Sequence, residues 1–497
     1  MRSFFCILLF FTSLGVSHAS MGVSWHLDEL YKKNKKHGAS KETSPLADKY
    51  GPFYFNQPVD HSDTSAGTFK HRYWANTDWY QAGGPVILTN AGEADATPAA
   101  RFVTNSSMAL LAENLQGAVI IMEHRCYGES QLGSDYSAQN LRTLNTQTAL
   151  EDMANIIKNV KLSGIELPPA PETKWIVYGG SYSGNLAAWM RYRYPEIVFA
   201  AVPSSAPVQM KYDFFEYFYP IQKYGPKECI QAIEQVIAYV DDILFGSDEA
   251  QKQSVKETFG VKGLEYDDDF ANLLMYPLGM WQGSNPISNP FKEEFCTIFD
   301  GKSDVNGYIE AYAGYIASLT QQMCGGYPVN DCLSSHDPDA EMYTDLTADF
   351  RPWVWQVCTE YAYWQTAAPT SNPSTIVSRK LDTTWYQRQC PLLFGEENVP
   401  SEPEWNKINE EYQGWNIKLN RTFFIDGEYD PWRTLSVQSD SAPERGTNDA
   451  RYAVLPEAIH CWDYTVADYV SDAIKQVHKD LYTAISGWIA EADAGKA

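Results

Sequence analysis

The sequence predicts an α/β fold: a mostly parallel sheet flanked by helices and split by one large helical insertion. Three observations carry this. Short apolar, β-rich runs alternate with helix-patterned segments in two separated stretches, before about residue 211 and after about residue 404. Between them, from residue 212 to residue 403, the texture changes to aromatic and helical stretches with Pro/Gly/Asn-rich turns. The length, 497 residues with 44% hydrophobic and 14% aromatic content, is enough for a sizeable core and too long for one compact all-helical or sandwich unit.

The elements follow in chain order. Residues 1–19 read as a secretory signal: Arg2, an apolar run from Phe4 to Phe11, then Ser17-His18-Ala19 as a small-residue cleavage site. That run is well short of the roughly 20 residues that span a bilayer, so a membrane anchor is not expected. Residues 20–50, with the basic run Lys32 to Lys36, form an N-terminal segment. The first core part, 51–211, holds strand runs at Pro85–Leu88, Ala118–Ile121, Trp175–Tyr178 and Phe199–Val202, with helices at Thr148–Val160 and Asn185–Tyr192. The insertion, 212–403, carries six of the eight cysteines that remain once Cys6 leaves with the signal. The second core part, 404–497, has strand runs at Thr422–Ile425 and Tyr452–Leu455 and a closing helix from Val466 to Ala490.

Charge and cysteine usage narrow the function. Asp and Glu total 63 against 38 Lys and Arg, a formal charge of -25 that repels nucleic acid. An even number of cysteines in a secreted chain argues for disulfides, and no C-x-x-C pair suggests zinc. Sequons at Asn105 and Asn420 fit the same compartment.

The sharpest local signal is Lys174–Asn185, KWIVYGGSYSGN, a strand running through glycines into a helix. That is the context of a nucleophile elbow, where Gly permits a sharp turn and the helix N-terminus favours an anion. The motif G-x-S-x-G has Ser183 at its last position here, and Ser181 is the serine with Gly two places upstream. A serine hydroxyl needs a base and an orienting acid, in chain order Ser, Asp or Glu, His. His460 follows the last strand run in a loop, whereas His478 lies within the closing helix between lysines, so His460 is the candidate base. For the acid, Asp426 and Asp430 in DGEYDPW both remain open on the local sequence.

Six strings in order, NQPVDH (Asn56–His61), EHRCYGES (Glu123–Ser130), GGSYSGNLAAWMRYRYP (Gly179–Pro195), WQVCTEYAYWQT (Trp355–Thr366), DGEYDPW (Asp426–Trp432) and IHCWD (Ile459–Asp463), resemble the serine peptidase family of lysosomal Pro-Xaa carboxypeptidase and dipeptidyl peptidase II. Their details resemble its secreted fungal branch most. The resemblance implies an α/β-hydrolase core with a helical cap and hydrolysis after proline. It assigns Ser181 as nucleophile, Asp430 as acid and His460 as base, in an acid-active enzyme. It puts the oxyanion donors on the backbone N–H of Tyr182 and of Gly92, although Ala91 and Ala94 stand at glycine places of the family's loop. Trp432 and Trp462 would wall the proline pocket. Cys229 with Cys296 and Cys358 with Cys390 are implied cap disulfides, and Cys126 is expected to pair with Cys461. No cofactor or metal is implied; the partners are proline-containing peptides or proteins, and a homodimer is compatible with the pattern. The rival readings are an esterase on the same core and a non-catalytic binding module.

Overall fold

The computed structural model describes residues 47–444 and 450–495, so the signal region 1–19 and the basic run from Lys32 to Lys36 lie outside the described residues. Eight strands make one sheet: β1 (Phe53–Pro58), β2 (Thr68–Asn76), β3 (Val86–Asn90), β4 (Ala118–Met122), β5 (Trp175–Gly180), β6 (Val198–Ser204), β9 (Thr422–Gly427) and β10 (Ala450–Leu455). Their order is β1-β2-β4-β3-β5-β6-β9-β10. Only β2 runs against the rest, pairing antiparallel with β1 and β4, while the other pairings are parallel. All six strand runs read from the sequence are strands of this sheet, because a parallel sheet covered on both faces needs continuous apolar strands.

The period of two sorts those residues between two layers. Val86, Leu88, Ile120, Met122 and Val177 face α2 (Thr146–Asn159) and α3 (Tyr182–Arg193), meeting Leu150, Met153, Leu186 and Trp189. Ile87, Val119, Ile121, Ile176 and Val202 face the opposite way, onto α1 (Ser107–Asn114) and the closing helix α7 (Asp472–Asp493), against Met108, Leu111, Val477, Leu481 and Ile485. Each such aliphatic side chain contributes about 1.5–3 kcal/mol on burial. Helix α7 begins six residues later than the sequence suggests, where Ser471 caps it by accepting from the N–H of Ile474.

The first hairpin, β1–β2, was not foreseen. β2 reads TFKHRYWAN and buries His71 and Arg72. Both are satisfied by hydrogen bonds: Arg72 reaches the Glu123 carboxylate through Nε and Nη2 at 2.8 and 2.5 Å.

The insertion holds α4 (Lys227–Leu244), α5 (Asp267–Met275) and α6 (Val305–Cys324), and the parallel pair β7 (Lys211–Asp213) and β8 (Ala362–Trp364) ties its start to a later segment. Its apolar residues, including Val236 and Leu274, join the α2–α3 side of the sheet in one continuous cluster. Disulfides join Cys229 to Cys296, Cys358 to Cys390 and, additionally, Cys324 to Cys332.

The expected pairing of Cys126 with Cys461 does not occur: both are buried free thiols. Cys126 belongs to the apolar layer on the α2–α3 side. Cys461 lines a pocket with Ala99, Phe102 and Met108, which pack on the α1–α7 side. The expectation that both motifs lie at the active-site end therefore did not put the two cysteines on the same face of the sheet.

Candidate active site

The turn from β5 into α3 puts Ser181 at φ 57° and ψ -131°, a conformation that non-glycine residues rarely hold. Its N–H donates to the Ser204 carbonyl on β6 at 2.9 Å, which fixes the turn. The neighbouring glycines are there because nothing larger fits. A Cβ on Gly179 would sit 2.0 Å from the Ser183 carbonyl oxygen, and one on Gly184 would sit 2.8 Å from the Ser204 oxygen. Gly184 thus takes the tight helix-to-strand contact, one place beyond the last position of the motif. Ser183 instead donates its hydroxyl to the Asn90 carbonyl at 2.5 Å, tying α3 to the end of β3.

Two loops at the same edge of the sheet bring an acid and a base together. The N–H groups of Glu428 and Tyr429 donate to the carbonyls of Leu455 and Ala458, each at 2.9 Å, so the loop after β9 rides on the loop after β10. Gly427 is required here, since a Cβ would lie 2.1 Å from the Ile459 oxygen. As a result both oxygens of Asp430 lie 2.9 and 3.0 Å from His460 Nδ1, with both side chains buried. Asp430 also accepts from the Trp432 N–H at 2.9 Å. Nε2 of His460 has no hydrogen-bond partner, and His460 and Ser181 line the same pocket. Burial alone would lower the imidazole pKa, but the charge and hydrogen bond of Asp430, together with Cys461, more than offset it and hold the ring well above its ordinary value.

Asp426, the other acid left open by the local sequence, is bonded elsewhere. Its Oδ2 accepts from Ser436 Oγ and Gln438 Nε2 at 2.9 and 2.6 Å, and its Oδ1 has no partner. Burial, with the Asp430 charge added, pushes its carboxyl up to about 8. His478 is likewise remote in role, bonding the Asp463 carbonyl at 2.7 Å from helix α7.

The pocket beside Ser181 runs under the loop after β3. Glu93, Ala94, Ala96, Pro98, Phe102 and Met108 form part of its wall. Tyr182 opens α3, so its N–H lacks an intrahelical acceptor, as an oxyanion donor must. The phenol of Tyr182 points elsewhere, accepting from Gln356 Nε2 at 2.9 Å and lying 3.0 Å from His124 Nε2. Gly92 departs from expectation: its N–H donates to Asn90 Oδ1 at 2.9 Å, so that donor is already committed. Its φ of 73° is what turns the loop back on the side chain of Asn90.

Trp432 and Trp462 are both held by the insertion. Their indole N–H groups donate to Gln282 Oε1 at 2.8 Å and to the Ser284 carbonyl at 2.9 Å. Trp432 packs edge-on to Tyr217 and Tyr363 with ring centroids 5.7 and 5.2 Å away. Neither tryptophan is among the residues lining the pocket that holds Ser181 and His460. Both sequon residues are exposed; Asn105 donates its backbone N–H to the Arg101 carbonyl at 2.9 Å, and Asn420 Oδ1 accepts from Arg191.

Several supporting residues escaped sequence reasoning. Glu123 is buried and accepts from Arg72, from the N–H groups of Ala96, Glu129 and Ser130, and from Ser130 Oγ at 2.7 Å. It therefore pins the pocket loop to β2. Asp463 accepts from the Tyr178 hydroxyl at 2.6 Å and Ser204 Oγ at 2.5 Å, anchoring the segment after His460 beneath β5 and β6. The strings EHRCYGES and IHCWD contain these acids, but nothing in a string marks which carboxylate is buried. Asp268, Asp269 and His336 come within metal-ligand distance of one another in the insertion. Arg388 already supplies the cation there, donating to His336 Nε2 at 2.7 Å with Asp268 3.4 Å away, so the donor set does not fit a metal ion.

An elbow serine at the carboxyl edge of a mostly parallel sheet, with a buried Asp–His pair on the loops after β9 and β10, defines an α/β-hydrolase. Comparison with known proteins takes the second step. The family model for serine carboxypeptidase S28 matches residues 57–479, and the chain belongs to that family of serine peptidases. It is 30% identical over 488 residues to the serine protease vicPa of Bipolaris victoriae, covering 90% of each chain. It is 30% identical over 483 residues to a "Probable extracellular serine carboxypeptidase" of Arthroderma benhamiae, covering 87% of this chain and 67% of that one. The thymus-specific serine protease of Mus musculus is 29% identical over 435 residues, with 82% of each chain covered.

Proposed function

We propose that the protein is a secreted peptidase that cleaves on the carboxyl side of proline, with Ser181 as nucleophile, His460 as base and Asp430 as the acid that orients it. The observation that carries this reading is the buried Asp430–His460 pair, in which Nε2 has no hydrogen-bond partner and His460 lines the pocket that also holds Ser181. In the acylation step His460 Nε2 takes the Ser181 proton as Oγ bonds to the scissile carbonyl carbon. The negative charge that develops on the carbonyl oxygen falls at the N-terminus of α3, near the Tyr182 N–H. When the C–N bond breaks, His460 returns the proton to the leaving amine. Water then attacks the acyl-enzyme, giving its proton to His460, which passes it back to Oγ.

Preference for proline rests on the resemblance set out above, since Trp432 and Trp462 lie outside the lining of the Ser181–His460 pocket. Secretion rests on the signal-like residues 1–19 and on the extracellular relative named above. Acid activity is the one expectation that the resting geometry opposes. An imidazole held in its charged form by Asp430 is a poor base until pH rises past its pKa.

The test is kinetic. Ser181→Ala is expected to lower kcat for a prolyl peptide by about 10⁴-fold or more while leaving the fold intact, as judged by circular dichroism. Full activity in that variant would reject the assignment.

A further inference from the structure

We propose that Gln356, a residue of the insertion, is a positioning residue for the oxyanion hole: with His124 it fixes the Tyr182 phenol, and through it the peptide whose N–H meets the developing charge. This rests on the Ser181–His460–Asp430 reading above and adds to it what holds the donor in place.

The donor needs holding. The Ser181–Tyr182 peptide follows a serine at φ 57° and ψ -131°, and such a backbone persists only where its surroundings over-determine it. On one side the Ser181 N–H is fixed by the Ser204 carbonyl. On the other the fixed point is the Tyr182 side chain, which is 2% exposed and packs against the rings of His124, Trp353 and Tyr361 at centroid distances of 5.6, 5.7 and 5.5 Å. With the Gly92 N–H already committed to Asn90 Oδ1, more of the stabilisation falls on the Tyr182 N–H.

The hydrogen bonds around the phenol run in one consistent direction. His124 Nδ1 lies 2.8 Å from the Arg125 carbonyl, which can only accept, so Nδ1 carries the ring's proton and Nε2 is an acceptor. Burial pushes the His124 pKa down to about 4, which keeps the ring neutral above that. The Tyr182 O–H therefore donates to His124 Nε2 at 3.0 Å. Its oxygen in turn accepts from Gln356 Nε2 at 2.9 Å and from the Tyr361 hydroxyl at 3.4 Å. The Gln356 amide is oriented from its other end, where Oε1 accepts from the Tyr127 hydroxyl at 2.5 Å. Gln356 is itself fully buried, closes the helical turn Arg351–Gln356 and stands two residues before Cys358, which is bonded to Cys390. Neither Gln356 nor His124 lines the pocket that holds Ser181, so each acts through Tyr182 and not on the substrate.

The experiment uses Ala-Pro-Phe, free at both ends, as substrate and the boronic acid analogue of Ala-Pro as inhibitor. Ser181 Oγ gives its proton to His460 and an electron pair to boron, leaving an anionic tetrahedral adduct with an oxygen at the oxyanion position. Wild type, Gln356→Met, Tyr182→Phe and the double variant are compared, with active sites counted by fluorophosphonate titration. Each single variant is expected to lower kcat per active site and to weaken boronate inhibition by about tenfold, with KM changed by less than about twofold. The double variant is expected to lose about as much as one single variant, because both substitutions remove the same bond. Tyr182→Phe alone decides the matter if Gln356→Met does not fold. Wild-type kcat in Tyr182→Phe, a loss confined to KM, a kcat loss with unchanged boronate inhibition, or losses that multiply in the double variant would each overturn the proposal. Failure of the fluorophosphonate to label wild type would instead bring down the triad reading, and this one with it.

Discussion

At the scale of single residues, two aspartates four positions apart have opposite roles, set by their surroundings. Asp430 is hydrogen-bonded to His460 and capped by a backbone N–H, whereas Asp426 is buried with one oxygen unpartnered and its pKa raised to about 8. Unfolding lets Asp426 ionise near its ordinary value. Its contribution to stability is therefore fully present below about pH 4 and is lost as pH rises toward 8. Asp426→Asn removes that dependence. The melting temperature of the variant relative to wild type is expected to increase by several degrees from pH 4.5 to pH 7.5, and a difference independent of pH would contradict the assignment. The local string DGEYDPW could not separate these acids, because it records spacing and not which carboxylate meets the histidine. The positions of Ser181 and His460 on loops beside one pocket were legible because each follows a strand at the same edge of the sheet. Gly92 was misread because a backbone donor's availability depends on a side chain, Asn90, that competes for it.

At the scale of elements, the strand-to-helix turn depends on close packing as much as on its serine. A Cβ on Gly184 would lie 2.8 Å from the Ser204 oxygen and 2.9 Å from the Ala206 Cβ. Gly184→Ala must push α3 away from β6, at a cost of about 1–3 kcal/mol, and moves Ser181 with it. Thermal unfolding should shift down by several degrees and kcat/KM should drop by about tenfold or more; a variant matching wild type in both would remove the packing argument. The six apolar strands were readable because burial on both faces leaves no polar positions in them. The β1–β2 hairpin was not, because His71 and Arg72 interrupt the pattern and are paid for by partners such as Glu123, far off in sequence. The face on which a cysteine falls was equally invisible, which is why Cys126 and Cys461 were paired in expectation and are apart in the structure.

For the whole molecule, buried acids set the response to pH. Asp426 and Glu360 are raised to about 8 and about 7, and Glu93, Asp241 and Asp463 are raised as well, all chiefly by burial. Each stabilises the fold most fully below its unfolded pKa and loses that contribution as pH climbs through its folded value. Buried His124, lowered to about 4, and His71, also lowered, act the other way, since their contribution is lost as pH falls from about 6.5. The acids outnumber the histidines, and a formal charge of -25 adds self-repulsion that eases as carboxylates neutralise. Melting temperature is therefore expected to rise from pH 7.5 to pH 4.5, and a fall would contradict this balance. Stability in acid and activity in acid are separate properties here, because Asp430 keeps His460 protonated in the resting enzyme as pH falls.

The central claim is that Ser181, activated by His460 and Asp430, performs the chemistry. Its most direct test is to treat the native protein with a fluorophosphonate and locate the phosphonyl group by peptide mass spectrometry. The account predicts one adduct, on Ser181, with labelling strongly reduced in His460→Ala. An adduct on another serine, or prolyl peptide cleavage that continues with Ser181 unlabelled, would contradict it.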